Sequence, residues 1–220
     1  VAIKNENPNH IKLVSYRNAT RESINTFIHN SIFGRDSEQF EKGELIIFNS
    51  SFDSIENSTE AQVLEVSKEN IDNNGFKYVN ISIIYENYPL LIPVLLRESK
   101  DAFNKMIDDK FTLAKKSGDK KLFREAYELK DSYADVDYGY AITSHKSQGS
   151  TYDIVIVDEK DINSVSKINL KQKSESIYTA LTRARNTSIV ITSEKFDENS
   201  IDVNSLDNVK GSNPPVCFNI

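Results

Sequence analysis

The segment TSHKSQGSTYD, Thr143 to Asp153, sets a histidine, a lysine, a glutamine and a glycine between two apolar runs, Tyr140–Thr143 and Asp153–Glu159. Read as strand, polar knot, strand, it places the knot at the carboxyl end of a parallel strand, where open α/β sheets bind their ligands. Gly149 suits a close approach of backbone to ligand, and Gln148 can both donate and accept hydrogen bonds. His145 and Lys146 also fit a bland reading, as a satisfied structural histidine and a solvated charge. Downstream, SESIYTALTRAR (Ser174–Arg185) reads as a helix carrying Arg183. A planar guanidinium suits the spreading negative charge of phosphoryl transfer. Arg185 lies about 200° further round such a helix and so cannot share that task. A structural ion pair is its expected role.

The elements that must hold these residues are legible at both ends of the chain. IKLVSY (Ile11–Tyr16) reads as a short buried strand. The helix after it has Ile24, Phe27, Ile28 and Phe33 near helical spacing, Asn18 or Thr20 to cap it and Gly34 to end it. Arg17, Asn18 and Thr20 open this helix, and helix N-termini bind phosphates through free N–H groups; simple N-capping is the other reading. From Tyr138 onward, strands without polar alternation, joined through helices, predict a parallel sheet covered on both faces.

Between these ends the grammar changes. Four β-branched-rich runs from Phe40 to Arg97, with the turn sequence Asp72–Gly75, predict a small antiparallel barrel. Pro89 and Pro93 mark strand ends or an edge. The barrel aromatics Phe48, Tyr85 and Tyr88 fit either base stacking or plain core and hairpin roles. Lys100–Ser117 and Asp119–Ser132 read as two amphipathic helices hinged at Gly118, with a solvated charged face. The organisation expected is a discontinuous α/β domain over 1–38 and 133–196, a β-barrel insert over 39–98, a helical pair over 99–132 attached to the insert, and an extended or loosely packed tail over 197–220.

Composition excludes several classes. The 220 residues are 38% hydrophobic and 27% charged, enough for a core under a soluble surface. No apolar run is long enough to span a bilayer, and a cytoplasmic protein is expected. A single Cys and three scattered His give no metal-ligand spacing. The net charge of −6 argues against binding nucleic acid over the whole surface, though not against a local basic groove. The only methionine is Met106, so the chain reads as a piece of a longer protein.

TSHKSQGSTYD and YTALTRAR together resemble motifs V and VI of superfamily 1 helicases, in particular the RecD- and Dda-like branch that moves 5′ to 3′ on DNA. The matching residues are Thr143, His145, Lys146, Gln148, Gly149, Thr151, Tyr152 and Asp153, then Tyr178, Ala180, Thr182, Arg183 and Ala184. The opening strand and helix also look like the start of that family's second motor domain, and the β-rich segment sits where the branch carries an SH3-like barrel. The resemblance implies a RecA-like second motor domain of P-loop NTPase fold, with Arg183 as arginine finger. It implies that Gln148 and Gly149 sense the nucleotide, and that Asn18, Thr20, Thr143, His145 and Lys146 contact single-stranded DNA.

The pattern stops short of a whole enzyme. The sequence contains no Gly-x-x-x-x-Gly-Lys-Ser/Thr loop, and Asp158-Glu159 follows motif V, where the family does not place its magnesium carboxylates. ATP with Mg²⁺ is therefore expected to bind mainly to an N-terminal RecA-like domain outside this sequence, with that domain and single-stranded DNA as partners and no membrane. Alone, the chain is expected to be inactive. Two alternatives stand beside this reading: a catalytically dead helicase-like module that binds nucleic acid or protein, and the equivalent half of an RNA helicase.

Overall fold

The computed structural model describes residues 11–86, 88–165, 169–192 and 216–219. In chain order the elements are β1 (Ile11–Ser15), α1 (Asn18–Phe33), β2 (Leu45–Phe48), β3 (Glu60–Val66), β4 (Asn70–Ile71), β5 (Lys77–Tyr85) and β6 (Tyr88–Leu95). There follow α2 (Arg97–Ser117), α3 (Lys120–Lys130), β7 (Val136–Tyr138), β8 (Ala141–Thr143), β9 (Tyr152–Asp158), α4 (Glu159–Asn163), α5 (Leu170–Leu181), β10 (Ala184–Thr192) and β11 (Val216–Asn219). They fall into two compact units, one built from both ends of the chain and one from His29–Gly139. Among the described residues no helix is long and apolar enough to cross a membrane.

The first unit is α/β, as the apolar strands predict. Its five strands run in the order β11-β10-β9-β1-β8, and every pairing is parallel. Val14, Val155, Val157, Ala141 and Ile142 are fully or almost fully buried, as expected of strands covered on both faces. Lys12 is buried as well, its ammonium 5.0 Å from the ring centroid of Tyr152. Most of the tail lies outside the described residues. Val216–Asn219, within the tail expected to be extended or loosely packed, adds the fifth strand beside β10.

Strand β8 is the sheet's last strand on its side, so its outward backbone groups need partners. Asn25 of α1, itself buried, supplies them. Its carboxamide accepts from the Ala141 N–H at 2.7 Å and donates to the Ala141 carbonyl at 3.1 Å. One side chain thus does what a neighbouring strand would do.

The second unit is an antiparallel sheet carrying a helical pair. Strands run β4-β5-β3-β2-β7, and β6 pairs along the other side of β5. Ile46, Phe48, Ile81, Ile83, Ile92 and Val94 fill its core, which assigns Phe48 to packing. Pro89 and Pro93 lie in β6, whose one strand partner is β5, so the missing donors cost no ladder bond. The Asp72–Gly75 turn joins β4 to β5, as expected. Helices α2 and α3 meet at Gly118, whose φ of +68° closes α2, and Asp119 caps α3 through the Lys121 N–H. Phe103 and Ile107 of α2 pack with Phe76 and Leu95 of the sheet. Where β7 ends, Gly139 allows close packing: a Cβ there would meet Leu45 Cγ at 3.0 Å and the Ile46 carbonyl carbon at 3.2 Å.

Candidate functional site

The polar knot does more than cap one strand end. Thr143 is level with Ser15 at the carboxyl end of the sheet, whereas Ile154 is level with Ile11 near the amino end. With Tyr152 two residues earlier, the loop 144–151 runs back along the sheet by six strand positions, roughly 20 Å. It does so as successive turns, Ser147 N–H to Thr143 O, Gln148 N–H to His145 O and Ser150 N–H to Ser147 O. The buried Ser147 side chain anchors its middle by donating to the Ser144 carbonyl at 2.7 Å. Gly149 ends the turns at φ +88°, a conformation that favours glycine.

At the carboxyl end, the loop opens with His145 exposed and its ring centroid 5.7 Å from that of Tyr16, just beyond β1. Thr143 is buried and its hydroxyl accepts from the Lys146 N–H at 3.4 Å, so it shapes the turn. The start of α1 is held by a residue from another strand end. Asp161, with a fully buried side chain, accepts from the N–H groups of Tyr16 and Arg17 at 2.7 and 2.8 Å. It also accepts from Arg17 Nε and, at 2.6 Å, from the Thr20 hydroxyl. A buried carboxylate thus offsets the positive helix end and uses donors that the sequence reading leaves for a phosphate. Burial alone would raise the Asp161 pKa, but the bonds from Thr20, Arg17 and Tyr16 outweigh it and hold the carboxyl below its ordinary range. Asn18 stays exposed, and Asp158 caps α4 through the Asp161 N–H.

At the amino end, one correction applies to Arg183. It does not lie on the helix: α5 ends at Leu181 with Thr182 as its cap, and Ala184 already belongs to β10. The Tyr152 N–H bonds the Arg183 carbonyl at 2.9 Å, drawing the chain into the sheet. The half-buried guanidinium donates to the Thr179 carbonyl at 3.1 Å, to the Ser150 carbonyl at 3.5 Å and to the Thr182 hydroxyl at 3.1 Å. These acceptors are all neutral, and among the described residues no carboxylate pairs with it. Arg185, by contrast, pairs with Asp153 at 3.6 Å, the structural role expected of it.

The structure therefore sorts the sequence-predicted residues into two groups joined by one loop. His145 lies with Tyr16 near the start of α1, where Asn18 and Thr20 sit; Gly149 and Arg183 lie at the other end, meeting through Ser150. Gln148 lines a groove of about 230 Å³ between the loop and α5, together with Tyr16, Ser144, His145, Gln172, Glu175, Ser176 and Thr179. In the second unit, Tyr85 donates to the Ser54 carbonyl and Tyr88 is exposed beside the β5–β6 turn. Sequence reasoning missed Asp161, Asn25 and Tyr16. Their partners are more than a hundred residues away along the chain, beyond any local pattern.

Fold and loop together define an α/β unit whose parallel sheet carries the candidate residues along one crossing loop. Residues 138–191 match the UvrD-like helicase C-terminal domain family. Over these residues the chain is similar to helicase C-terminal domains. Two curated relatives match: uncharacterized protein R530 of Acanthamoeba polyphaga mimivirus, 54% identical over 56 residues (26% of this chain, 11% of the relative), and uncharacterized protein MJ1519 of Methanocaldococcus jannaschii, 36% identical over 98 residues (42% and 8%). The chain thus spans about a tenth of the length of these relatives. Among solved structures, the Pif1 helicase from Bacteroides in complex with ADP-AlF3 and ssDNA aligns over 84% of this chain and 40% of its own, at 15% identity and a TM-score of 0.41.

Proposed function

We propose that this chain is the C-terminal portion of an ATP-dependent helicase that moves 5′ to 3′ on single-stranded DNA, of the RecD- and Dda-like branch, with the second unit as its SH3-like insert. The observation that carries the reading is the 144–151 loop, which ties an exposed His145 at one end of the parallel sheet to Gly149 and Arg183 at the other. In this reading His145 and Lys146, with the exposed Asn18 at the start of α1, grip the strand, Thr20 orients that helix start by donating to Asp161, and Thr143 sets the turn that presents them. Gln148 and Gly149 register the nucleotide, and Arg183 supplies the cation for the γ-phosphate when an N-terminal motor domain closes on it. A loop pinned in the middle by Ser147 couples the two ends, because moving one end drags the other.

The residues present suit only part of an ATP site. Arg183 offers an uncompensated charge to phosphate, but the sequence has no phosphate loop, and among the described residues no group of three or more His, Cys, Asp or Glu is arranged to hold a metal ion. Magnesium chemistry belongs to the partner domain in this reading, and the chain alone is inactive. The test is ATP hydrolysis, with and without single-stranded DNA, by this chain and by the longer protein to which we assign it. Silence from the chain and DNA-dependent turnover by the longer protein are expected. Hydrolysis by the chain alone would refute the assignment, and stimulation by RNA but not DNA would reassign the substrate.

A further inference from the structure

We infer that the groove between the 144–148 loop and α5 is a nucleobase pocket, with Tyr16 as its stacking residue. The inference rests on the nucleic-acid reading above but goes beyond backbone contact. The groove is lined by Tyr16, Ser144, His145, Gln148, Gln172, Glu175, Ser176 and Thr179. No lysine or arginine is among these lining residues, and Glu175 contributes an acid. Such a lining disfavours phosphate, which calls for cations or clustered N–H donors, and favours a flat, neutral, hydrogen-bonding ligand.

A nucleobase has that chemistry. Every base has a π-face that stacks on an aromatic ring, whatever its sequence. The Tyr16 and His145 rings stand 59° apart, so a base stacks on one and meets the other by its edge, a favourable aromatic arrangement. Tyr16 is preorganised, because the buried Asp161 carboxylate holds its backbone N–H at 2.7 Å. Around the base edge stand hydrogen-bonding groups of both senses. Gln148 offers a carboxamide. Gln172, whose Oε1 closes the α5 capping box with the Asn169 N–H, retains amide donors. Glu175 accepts from an exocyclic amino group, as acidic side chains do with cytosine.

The base can come from a single strand or from a free nucleotide, and the test separates them. Binding of a fluorescein-labelled oligodeoxycytidylate, an abasic strand of equal length and ATP is measured by anisotropy and competition at low salt, for the unmodified chain and for Tyr16→Ala, Tyr16→Leu and Tyr16→Phe. With the base from a strand, Tyr16→Ala and Tyr16→Leu weaken oligodeoxycytidylate binding roughly 5- to 150-fold. Tyr16→Phe retains it, and abasic binding is unchanged in all three. A loss confined to ATP assigns the same pocket to a nucleotide base. Equal loss on the abasic strand, or loss in Tyr16→Phe alone, would overturn stacking. Binding of the oligonucleotide with no dependence on Tyr16 overturns the inference and leaves the helicase reading intact. No binding of any nucleic acid or nucleotide by the unmodified chain overturns the strand-contact reading and the pocket with it. Circular dichroism melting of Tyr16→Leu controls for folding.

Discussion

Replacing Asp161 by asparagine tests how the first unit positions its groove. The carboxylate accepts four hydrogen bonds: two from backbone N–H groups, one from Arg17 Nε and one from the Thr20 hydroxyl. An asparagine keeps one oxygen and turns an NH₂ toward the donors that faced the other. A buried donor left unpaired costs ~1–3 kcal/mol. The Arg17 side chain is 53% exposed and finds water instead, so its share is small. Two disrupted acceptances, one of them partly rescued, give a loss of about 2–4 kcal/mol, a large fraction of a domain's ordinary ~5–15 kcal/mol. The chain has no tryptophan, so urea unfolding is best followed by circular dichroism, with hydrogen exchange to localise the effect to the β1–α1 junction. The pH dependence adds a second check. Because the folded pKa of Asp161 lies below its ordinary 3.8, the unfolded chain takes up the proton first on acidification. The carboxylate's contribution is present above about 3.8 and is lost as pH falls through the folded value, so the gap between native and variant closes in acid. A loss below ~0.5 kcal/mol at neutral pH, the scatter of an ordinary surface substitution, or a gap that stays constant in acid, would refute the reasoning.

Three further outcomes are expected. In the longer protein to which we assign the chain, Arg183→Ala lowers ATP turnover by roughly 10³-fold or more while ATP affinity changes far less; retained turnover removes Arg183 from that role. Asn25→Ala leaves the outward N–H and carbonyl of Ala141 unpaired and destabilises the first unit by about 2–4 kcal/mol. Hydrogen exchange should then quicken at Ala141, and an unchanged rate would show that the carboxamide is not the edge partner. Gly139→Ala drives a Cβ into Leu45 and the Ile46 backbone, at a cost of about 1–3 kcal/mol read from the denaturation midpoint; a neutral result would mean that β2 yields without strain.

Local periodicity and spacing carried much of this molecule. The apolar runs Ile11–Ser15 and Asp153–Glu159 declared buried parallel strands, because a strand covered on both faces needs no polar alternation. Gly118 and Asp119 announced the break between α2 and α3, since one tolerates positive φ and the other offers an acceptor to free N–H groups. The types and spacing of His145, Gln148, Gly149 and Arg183 carried the resemblance to helicase motifs, and the stretch that holds them matches the UvrD-like helicase C-terminal domain family.

What tertiary structure alone decided are relations between residues distant in sequence. The helical reading of Ser174–Arg185 ran past Leu181 because propensity is local. The pairing of Ala184 with Tyr152 pulled those residues into β10 instead. Nothing in the sequence around Asp161 singles it out, yet its charge serves α1, whose first residues precede it by more than 140 positions. The loop after Thr143 looked like a strand-end turn, and only the register of β8 and β9 against β1 shows it crossing from one end of the sheet to the other. Spacing along the chain dictates which face a residue occupies within its own element. Which elements lie side by side, and at what register, follows from burying all their faces together, and that sum is not written in any one segment.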